Sequence, residues 1–246
     1  PNAIPYITSY YSKRWGFCLS FNDFQKLDRN SRFRVFIDSE YREDGYLTYG
    51  DLLIKGEVEE EIFFSSYVCH PQMVNNELSG PSVLTSIALK YLNSDNYYSK
   101  RFVLIPETIG SLVYLKYNLP EMKKKIVAGF NISCVGDERM WGYLPSRNGK
   151  TLADKLVKFS FKDQNINYKT FSWYNDRGSD ERQYCMPGVD LPVVNITRSK
   201  WDEYEEYHTS LDNFDLVTKE GLEQSSDFYI KSIEILEKNQ FYTLKV

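Results

Sequence analysis

The segment that decides the fold is IFFSSYVCHPQMVNNELSG, residues 62–80. It opens with a continuous apolar-leaning run, IFFSSYV, which is typical of a strand buried on both faces. A polar loop follows. Ser79-Gly80-Pro81 then predicts the start of a helix, with Ser79 as the N-cap and Pro81 in the first turn. The segment therefore predicts a strand–loop–helix unit and places His70 in its loop.

The same alternation of strands and helices continues along the chain. Further strands are predicted at 101–106, 126–135 and 191–197, and further helices at 110–118, 151–161 and about 218–238. Strands that alternate with helices indicate a mostly parallel sheet covered by helices. We therefore predict an α/β fold, a three-layer sandwich with a mostly parallel central sheet, for residues 59–246.

Residues 1–58 have a different character. They are rich in Tyr, Phe, Arg and Asp, and they contain two short alternating runs, FRVFIDSEY at 33–41 and YLTYGDLLIKG at 46–56. Turn-like EDG and YGD sequences separate such runs. We predict a small β-rich subdomain here. Its aromatic residues suit a binding wall, so we expect it to form a rim over the edge of the sheet that carries the site.

Composition narrows the class of protein. Of 246 residues, 42% are hydrophobic and 16% aromatic, which is enough for a real core. The net charge of −4 offers no basic excess for nucleic acid, and no apolar run approaches the ~18 residues of a membrane span. The four cysteines form no CxxC pair and are expected to be buried free thiols in a reducing cytoplasm. We predict a cytoplasmic protein, and a homo-oligomer is compatible with the sequence.

Four residues follow predicted strands and could form a site. In parallel sheets, ligands bind beyond the carboxyl ends of the strands. His70, Glu107, Asp137 and His208 all lie at such positions. Zinc prefers imidazole nitrogen and carboxylate oxygen, and Glu107 could act as a general base beside it. The alternatives stay open: loop histidines are often structural, and Glu107 could simply favour the dipole of the helix near Gly110.

The order of four motifs resembles the co-catalytic zinc aminopeptidase superfamily. The motifs are HPQMVNNELSG (70–80), IPETIGS (105–111), RGSDERQYCMPGVDLP (177–192) and YHTSLDN (207–213). That superfamily includes bacterial leucyl-type aminopeptidases, glutamate carboxypeptidase and glutaminyl cyclase. Over nearly its whole length the chain is more closely similar to bacterial aminopeptidase-like domain proteins, which are often encoded with polysaccharide-biosynthesis enzymes.

The resemblance implies a zinc site with His70 as the first ligand and His208 as the last. The superfamily has a metal-bridging Asp where this sequence has Asn76. A neutral amide cannot bridge two zinc ions as a carboxylate does, so either Glu77 replaces it or a single ion binds. One or two zinc ions are therefore implied, and one is favoured.

Two other superfamily carboxylates are also replaced. Where the superfamily has paired glutamates, a base and then a ligand, this chain has only Glu107, followed by Thr108. We favour the role of base for Glu107, and the alignment also tolerates the role of ligand. The Asp ligand that usually ends the third strand is replaced by Ser133, and Asp137 lies four residues further on. Asp137 is the remaining candidate metal ligand.

A second group of residues is expected to contact the substrate. Asp180 matches a superfamily position near the substrate, and Asn76 and Tyr207 adjoin the expected ligands. Arg177, together with Arg182 and Arg198, could hold a substrate carboxylate, although surface ion pairs explain these arginines equally well.

The function implied is a zinc-dependent hydrolase of the aminopeptidase type. It would cleave an amide bond of a peptide, or of an amino-sugar or glycan intermediate, by attack of a metal-activated water with Glu107 taking the proton. Two alternatives stay open. The replaced ligands also suit a non-catalytic binding protein on a degenerate peptidase scaffold, and glutaminyl cyclase uses one zinc on this fold for amide-forming chemistry. The metal content would distinguish the hydrolase from the binding protein, and the reaction product would distinguish the hydrolase from the cyclase.

Overall fold

The computed structural model of the protein describes residues 2–7, 14–40, 42–70 and 72–238. Its centre is a seven-stranded sheet. The strands are β1 (Gly50–Ile54), β2 (Val58–Tyr67), β3 (Tyr98–Ile105), β4 (Ile126–Ile132), β5 (Trp141–Leu144), β6 (Tyr168–Thr170) and β7 (Val193–Thr197). The helices are α1 (Phe21–Lys26), α2 (Ser79–Tyr91), α3 (Ile109–Lys125), α4 (Leu152–Asp163), α5 (Trp173–Asp176), α6 (Glu181–Tyr184) and α7 (Lys219–Glu237). A π-helical turn, Val74–Leu78, leads directly into α2.

The strand order is β1-β3-β2-β4-β7-β5-β6. Strands β3, β2, β4 and β7 are parallel to one another, whereas β1 and β5 run antiparallel to their neighbours β3 and β7. Strand β6 is parallel to β5. The predicted α/β fold with a mostly parallel sheet is confirmed, and the parallel strands lie at its centre.

Successive residues of β2 point to opposite faces of the sheet, and each face carries its own layer of helices. On one face Phe64 packs with Phe130 against residues of α2, α4 and α7. On the other, Phe63 packs against Tyr114 of α3 and Tyr184 of α6. Both phenylalanines are fully buried, which explains why the sequence of β2 is apolar without alternation.

Two element boundaries differ from the sequence predictions. Helix α3 continues through Pro120 to Lys125, because Leu119 and Met122 still pack against the sheet. The third strand was expected to reach residue 135, but β4 ends at Ile132. The chain turns there, and Cys134 has a left-handed backbone, φ 53°.

The segment 1–58 forms less strand than its alternating pattern predicts. Within its described residues the one strand is β1, and β1 is an edge of the central sheet. Asp51 of β1 forms an ion pair with Arg101 of β3 at 2.9 Å and accepts a hydrogen bond from Tyr114 at 2.7 Å, and these contacts hold β1 at this edge. The run at 33–40 has no strand partner among the described residues. A domain boundary at residue 58 stays a prediction.

No helix in the described part of the chain is both long and apolar enough to span a membrane.

Helix α2 begins very close to the sheet. A Cβ atom on Gly80 would lie 2.4 Å from Ser66 Oγ and 2.5 Å from the Ile132 carbonyl oxygen. Only glycine fits at this contact between the helix and strands β2 and β4. The close contact fixes the π-helical turn immediately before α2 at the carboxyl end of β2.

Asp212 joins the two loops that carry the histidines. Its buried carboxylate accepts hydrogen bonds from the backbone N–H groups of Val74, Asn75 and Asn76, at 2.5–3.1 Å. Tyr204 Oη lies 3.2 Å from the same carboxylate. Asp212 therefore acts as the cap of the π-helical turn from more than 130 residues away, and it holds that turn against the loop of His208.

We predict that Asp212→Ala lowers the free energy of unfolding by about 2–4 kcal/mol, because it leaves several buried N–H groups without an acceptor. Urea unfolding followed by circular dichroism measures this change. Asp215→Ala is the matched control, since Asp215 is exposed in the same loop and should change stability by less than about 0.5 kcal/mol. Equal stability of the two variants would contradict the role of Asp212.

Candidate metal centre

The two histidines of the chain meet at the carboxyl edge of the sheet. His70 follows β2, and His208 lies in the long loop after β7 with a left-handed backbone, φ 52°. Their ring centroids are 5.0 Å apart and the rings are nearly perpendicular, at 77°. The sequence analysis placed both residues at this edge, and the structure brings them into contact.

Glu77 lies beside His70 because the π-helical turn points its side chain towards the end of β2. Glu77 Oε1 is 3.9 Å from His70 Nε2, and Glu77 Oε2 accepts a hydrogen bond from the backbone N–H of Cys69 at 2.9 Å. The side chain is buried, and Oε1 accepts no hydrogen bond from the residues that the structure describes. A buried carboxylate oxygen without a donor, beside an imidazole nitrogen, is an arrangement that a cation would satisfy.

Glu107 follows β3 in a strained turn. Thr108 has φ 62° and ψ −65°, and the N–H of Ile109 donates to the carbonyl of Glu107 at 2.7 Å, so Thr108 is the centre of a γ-turn with positive φ. This conformation is unfavourable for a β-branched residue and persists only where surrounding contacts hold it. Surrounding contacts therefore hold the Glu107 loop in a defined conformation at this edge of the sheet.

Asp180 holds that turn in place. Its Oδ1 accepts hydrogen bonds from the Thr108 backbone N–H and the Ser111 hydroxyl, both at 2.8 Å. The carboxyl is fully buried, and its Oδ2 has no hydrogen-bond partner in the described residues. The structure thus places Asp180 next to Glu107, where it positions the loop that carries the candidate base.

Burial is the main reason why ionisation of all three carboxyl groups is disfavoured. Burial raises the pKa of Glu77 to about 7, with Asp212 and Asp180 adding repulsion. Burial, Asp180 and Glu77 raise the pKa of Glu107 to about 8, and burial also raises the pKa of Asp180 to about 7. Within the described residues, no Lys or Arg forms an ion pair with any of the three.

The histidines have the opposite shift. Burial lowers the pKa of His70, and the neighbouring His208 lowers it further; burial is also the largest cause of the lowered pKa of His208. Both rings are therefore neutral at pH 7 and keep a nitrogen lone pair for a metal. Two neutral imidazoles beside buried carboxylates without a counter-charge fit a zinc ion.

Aromatic rings cover the histidines. The ring of Tyr6 lies 4.5 Å from that of His70 and 5.4 Å from that of His208, and Tyr207 stacks on His208 at 3.9 Å. The backbone N–H of Tyr6 donates to the carbonyl of His208 at 2.8 Å, next to a β-bridge between Pro5 and Thr209. The first described residues therefore lie on the site edge, where the sequence analysis expected segment 1–58 to form a rim.

Asn76 and Asp137 are held by other contacts. Asn76 lies next to Glu77, and its Nδ2 donates to Tyr67 Oη at 2.8 Å. The Asp137 carboxylate accepts four hydrogen bonds at 2.9–3.0 Å, from Asn75 Nδ2, the Arg139 backbone, and the backbone and hydroxyl of Ser199. The structure does not bring Asp137 to the histidines, since these contacts occupy it beside β4.

The three candidate arginines lie in different surroundings. Arg177 stacks over Trp173 at 4.6 Å and donates to the Trp173 carbonyl. Arg198 is buried, packs over Trp141 at 4.2 Å and donates to Gln224. Arg182 donates to the Thr108 hydroxyl at 3.3 Å. Arg182 is therefore the arginine of the three that contacts the Glu107 loop.

Cys69 was missed as a site residue. The sequence analysis expected buried thiols, and Cys134 and Cys185 are buried, but Cys69 is exposed. Its Sγ belongs to a group with one ligand atom each from His70 and Glu77, all within 4.8 Å of one another. Although the residue is exposed overall, partial burial of its thiol and the charges of Glu77 and Glu107 raise the pKa of Cys69 to about 11. Its position immediately before His70 was the signal that could have revealed it.

Most of the chain matches a known protein family. Residues 4–239 match the family model described as "Domain of unknown function (DUF4910)". The chain belongs to this family. Over 244 residues it is 41% identical to the Clostridium acetobutylicum "Putative polysaccharide biosynthesis protein with aminopeptidase-like domain", covering 98% of this chain and 54% of that protein. The predicted relationship to bacterial aminopeptidase-like domain proteins is confirmed.

Two solved structures share the fold. A crystal structure of a "putative peptidase" from Clostridium acetobutylicum has a TM-score of 0.91 and 40% identity, over 97% of this chain and 55% of that chain. A zinc aminopeptidase of Bacillus subtilis has a TM-score of 0.63 and 17% identity, over 77% of this chain and 51% of that chain. The chain spans about half the length of these proteins, and the more distant one shows the fold alone.

We predict that Glu107→Gln stabilises the metal-free protein more at pH 8 than at pH 5. The pKa of Glu107 is about 8 in the folded state, against about 4.3 for an unperturbed Glu. Between these values the folded state keeps a proton that the unfolded state has lost, so rising pH favours unfolding. Glu107→Gln removes the carboxyl that causes this loss of stability. The free energy of unfolding of the variant should therefore be higher than that of the parent by about 1–3 kcal/mol more at pH 8 than at pH 5.

Urea unfolding of chelator-treated protein at the two pH values measures the effect. Glu223→Gln on the exposed face of α7 is the control and should show no change between them. A Glu107→Gln effect of the same size at pH 5 and pH 8 would contradict the assigned pKa.

Proposed function

We propose that this chain is a metal-dependent hydrolase of the aminopeptidase type. A zinc ion would be held by His70 and Glu77, with His208 facing them, and Glu107 would serve as the general base. The observation that carries the proposal is the convergence of two neutral imidazoles with a buried carboxylate oxygen of Glu77 that accepts no hydrogen bond from the described residues. The family relationship supports the same conclusion independently.

A zinc ion at this position would supply Lewis acidity, which polarises an amide carbonyl and makes a nearby water more acidic. Glu107 is close enough to Glu77 for each charge to disfavour the other. A cation beside them would offset this repulsion and lower the pKa of Glu107 from about 8 towards neutrality. Glu107 would then accept a proton at working pH, as a general base requires.

The surrounding residues of this chain would position the reaction. Asp180 and Ser111 hold the strained Thr108 turn, so the carboxylate of Glu107 stays at the site edge. Tyr6 and Tyr207 cover the histidines and exclude water from one side. Such rings also suit packing against the apolar face of a sugar or a side chain.

The proposed substrate is an amide of a peptide or of an amino-sugar intermediate. The name of the Clostridium acetobutylicum relative, which joins polysaccharide biosynthesis to an aminopeptidase-like domain, supports the second source. The site also explains why one ion is favoured. Asn76, Thr108 and Ser133 cannot supply the carboxylates that they replace, and the Asn76 amide is bonded to Tyr67.

A binding role on the same scaffold is the second candidate, and these replaced ligands favour it. A binding role requires that the remaining site residues hold no catalytic metal. The amide-forming, cyclase-like alternative stays a prediction, and identification of the reaction product would test it.

We predict that His70→Ala weakens zinc binding by more than about 100-fold, because it removes a ligand, and that His208→Ala, beside the ion, weakens it by about 10–100-fold. Glu107→Gln should keep the metal but lower turnover by about 10²–10⁴-fold. Calorimetry measures binding, and a panel of aminoacyl amides and acylated amino sugars measures turnover. Glu223→Gln is the control for both.

The opposite pattern would overturn the assignment. Unchanged zinc affinity in both histidine variants would remove the site from this edge. A Glu107→Gln variant as active as the parent would show that Glu107 is not the base.

A further inference from the structure

The Cys69 thiol lies among the candidate metal ligands. Its Sγ, one His70 nitrogen and one Glu77 oxygen are all within 4.8 Å of one another. Its backbone N–H donates to the Glu77 carboxylate at 2.9 Å, which fixes the two residues relative to each other. The charge of Glu107 also acts on this thiol. Cys69 therefore lies beside the candidate ligands and near the candidate base.

An independent observation shows that this group lacks a partner. Glu77 is 3% exposed, and its Oε1 has no hydrogen bond from the described residues although it lies 3.9 Å from His70 Nε2. In a tetrahedral zinc site with bonds of about 2.0 Å to N or O and 2.3 Å to S, neighbouring ligand atoms are about 3.3–3.6 Å apart. Small side-chain rotations would bring the three atoms to these separations.

We propose that Cys69 is a direct metal ligand, so that Cys69, His70 and Glu77 form the inner ligand set and His208 lies beside it. This inference rests on the proposed metal site. Three protein ligands leave one position open, as in catalytic zinc centres. Binding would break the S–H bond and form a sulfur–metal bond, and the proton would pass to the solvent.

A sulfur ligand changes which metals the site selects. Thiolate favours zinc and other soft or borderline ions, whereas carboxylate and carbonyl oxygens suit magnesium, calcium and manganese. Asn76 and Thr108 replace the superfamily's carboxylates, so oxygen ligands are few here. A thiolate supplies the negative charge that these replacements remove. The site should therefore prefer zinc, cobalt and cadmium to magnesium and manganese.

Cobalt is the most direct probe of the ligand set. Cobalt bound to the metal-free protein should give visible d–d bands and a near-ultraviolet sulfur-to-cobalt charge-transfer band. Cys69→Ser should lose the charge-transfer band, keep the d–d bands at higher cobalt concentration, and bind zinc more than about 10-fold more weakly. Cys18→Ser and Cys134→Ser are matched controls, and both should keep the band.

The outcomes separate this inference from the proposed function. Stoichiometric d–d bands without a charge-transfer band, or a band that survives Cys69→Ser, would overturn the sulfur ligand and leave the metal site standing. No bound cobalt or zinc would overturn both.

A second measurement does not depend on a variant. Zinc should protect Cys69 of the unaltered protein from alkylation, as mapped by peptide mass spectrometry, and magnesium should not. Equal labelling with and without zinc, under conditions where zinc binds, would overturn the inference.

Discussion

Three carboxyl groups that form no ion pair with Lys or Arg among the described residues dominate the carboxyl edge of this sheet, two of them buried and Glu107 half-buried. Burial raises the pKa of all three, Glu77 and Asp180 raise that of Glu107 further, and the donors around Glu77 and Asp180 satisfy only one oxygen of each. Such a cluster is unfavourable unless it is protonated or balanced by positive charge. The divalent cation proposed here, held by neutral imidazoles, would provide that balance and would convert an unfavourable cluster into a reaction centre.

The fold maintains this arrangement through long-range backbone contacts. Asp212 caps the π-helical turn of Glu77 from the His208 loop, Asp180 caps the strained turn of Glu107, and Gly80 lets α2 begin against β2. Each contact joins loops that leave different strands. The histidines and carboxylates are therefore positioned by a rigid framework, as pre-organised catalysis requires.

Local pattern was sufficient for much of the fold but not for the details of the site. The apolar run of β2 and the N-cap signal at Ser79 predict the central strand–loop–helix unit because the forces involved act between neighbouring residues. The pairing of β1 with β3, the placement of Tyr6 over the histidines and the sharing of Asp212 depend on distant partners. The position of Cys69 before His70 is visible in the sequence, but the proximity of its sulfur to Glu77 depends on the folded loop.

The proposed function depends on a metal ion at this edge of the sheet. The metal content of the untagged protein, purified without chelators and measured by elemental mass spectrometry, tests this directly. We expect about one zinc per chain in the parent protein and none in His70→Ala. A parent protein that contains no metal, and acquires none from excess zinc, would rule out the metal site and favour a binding role on this scaffold.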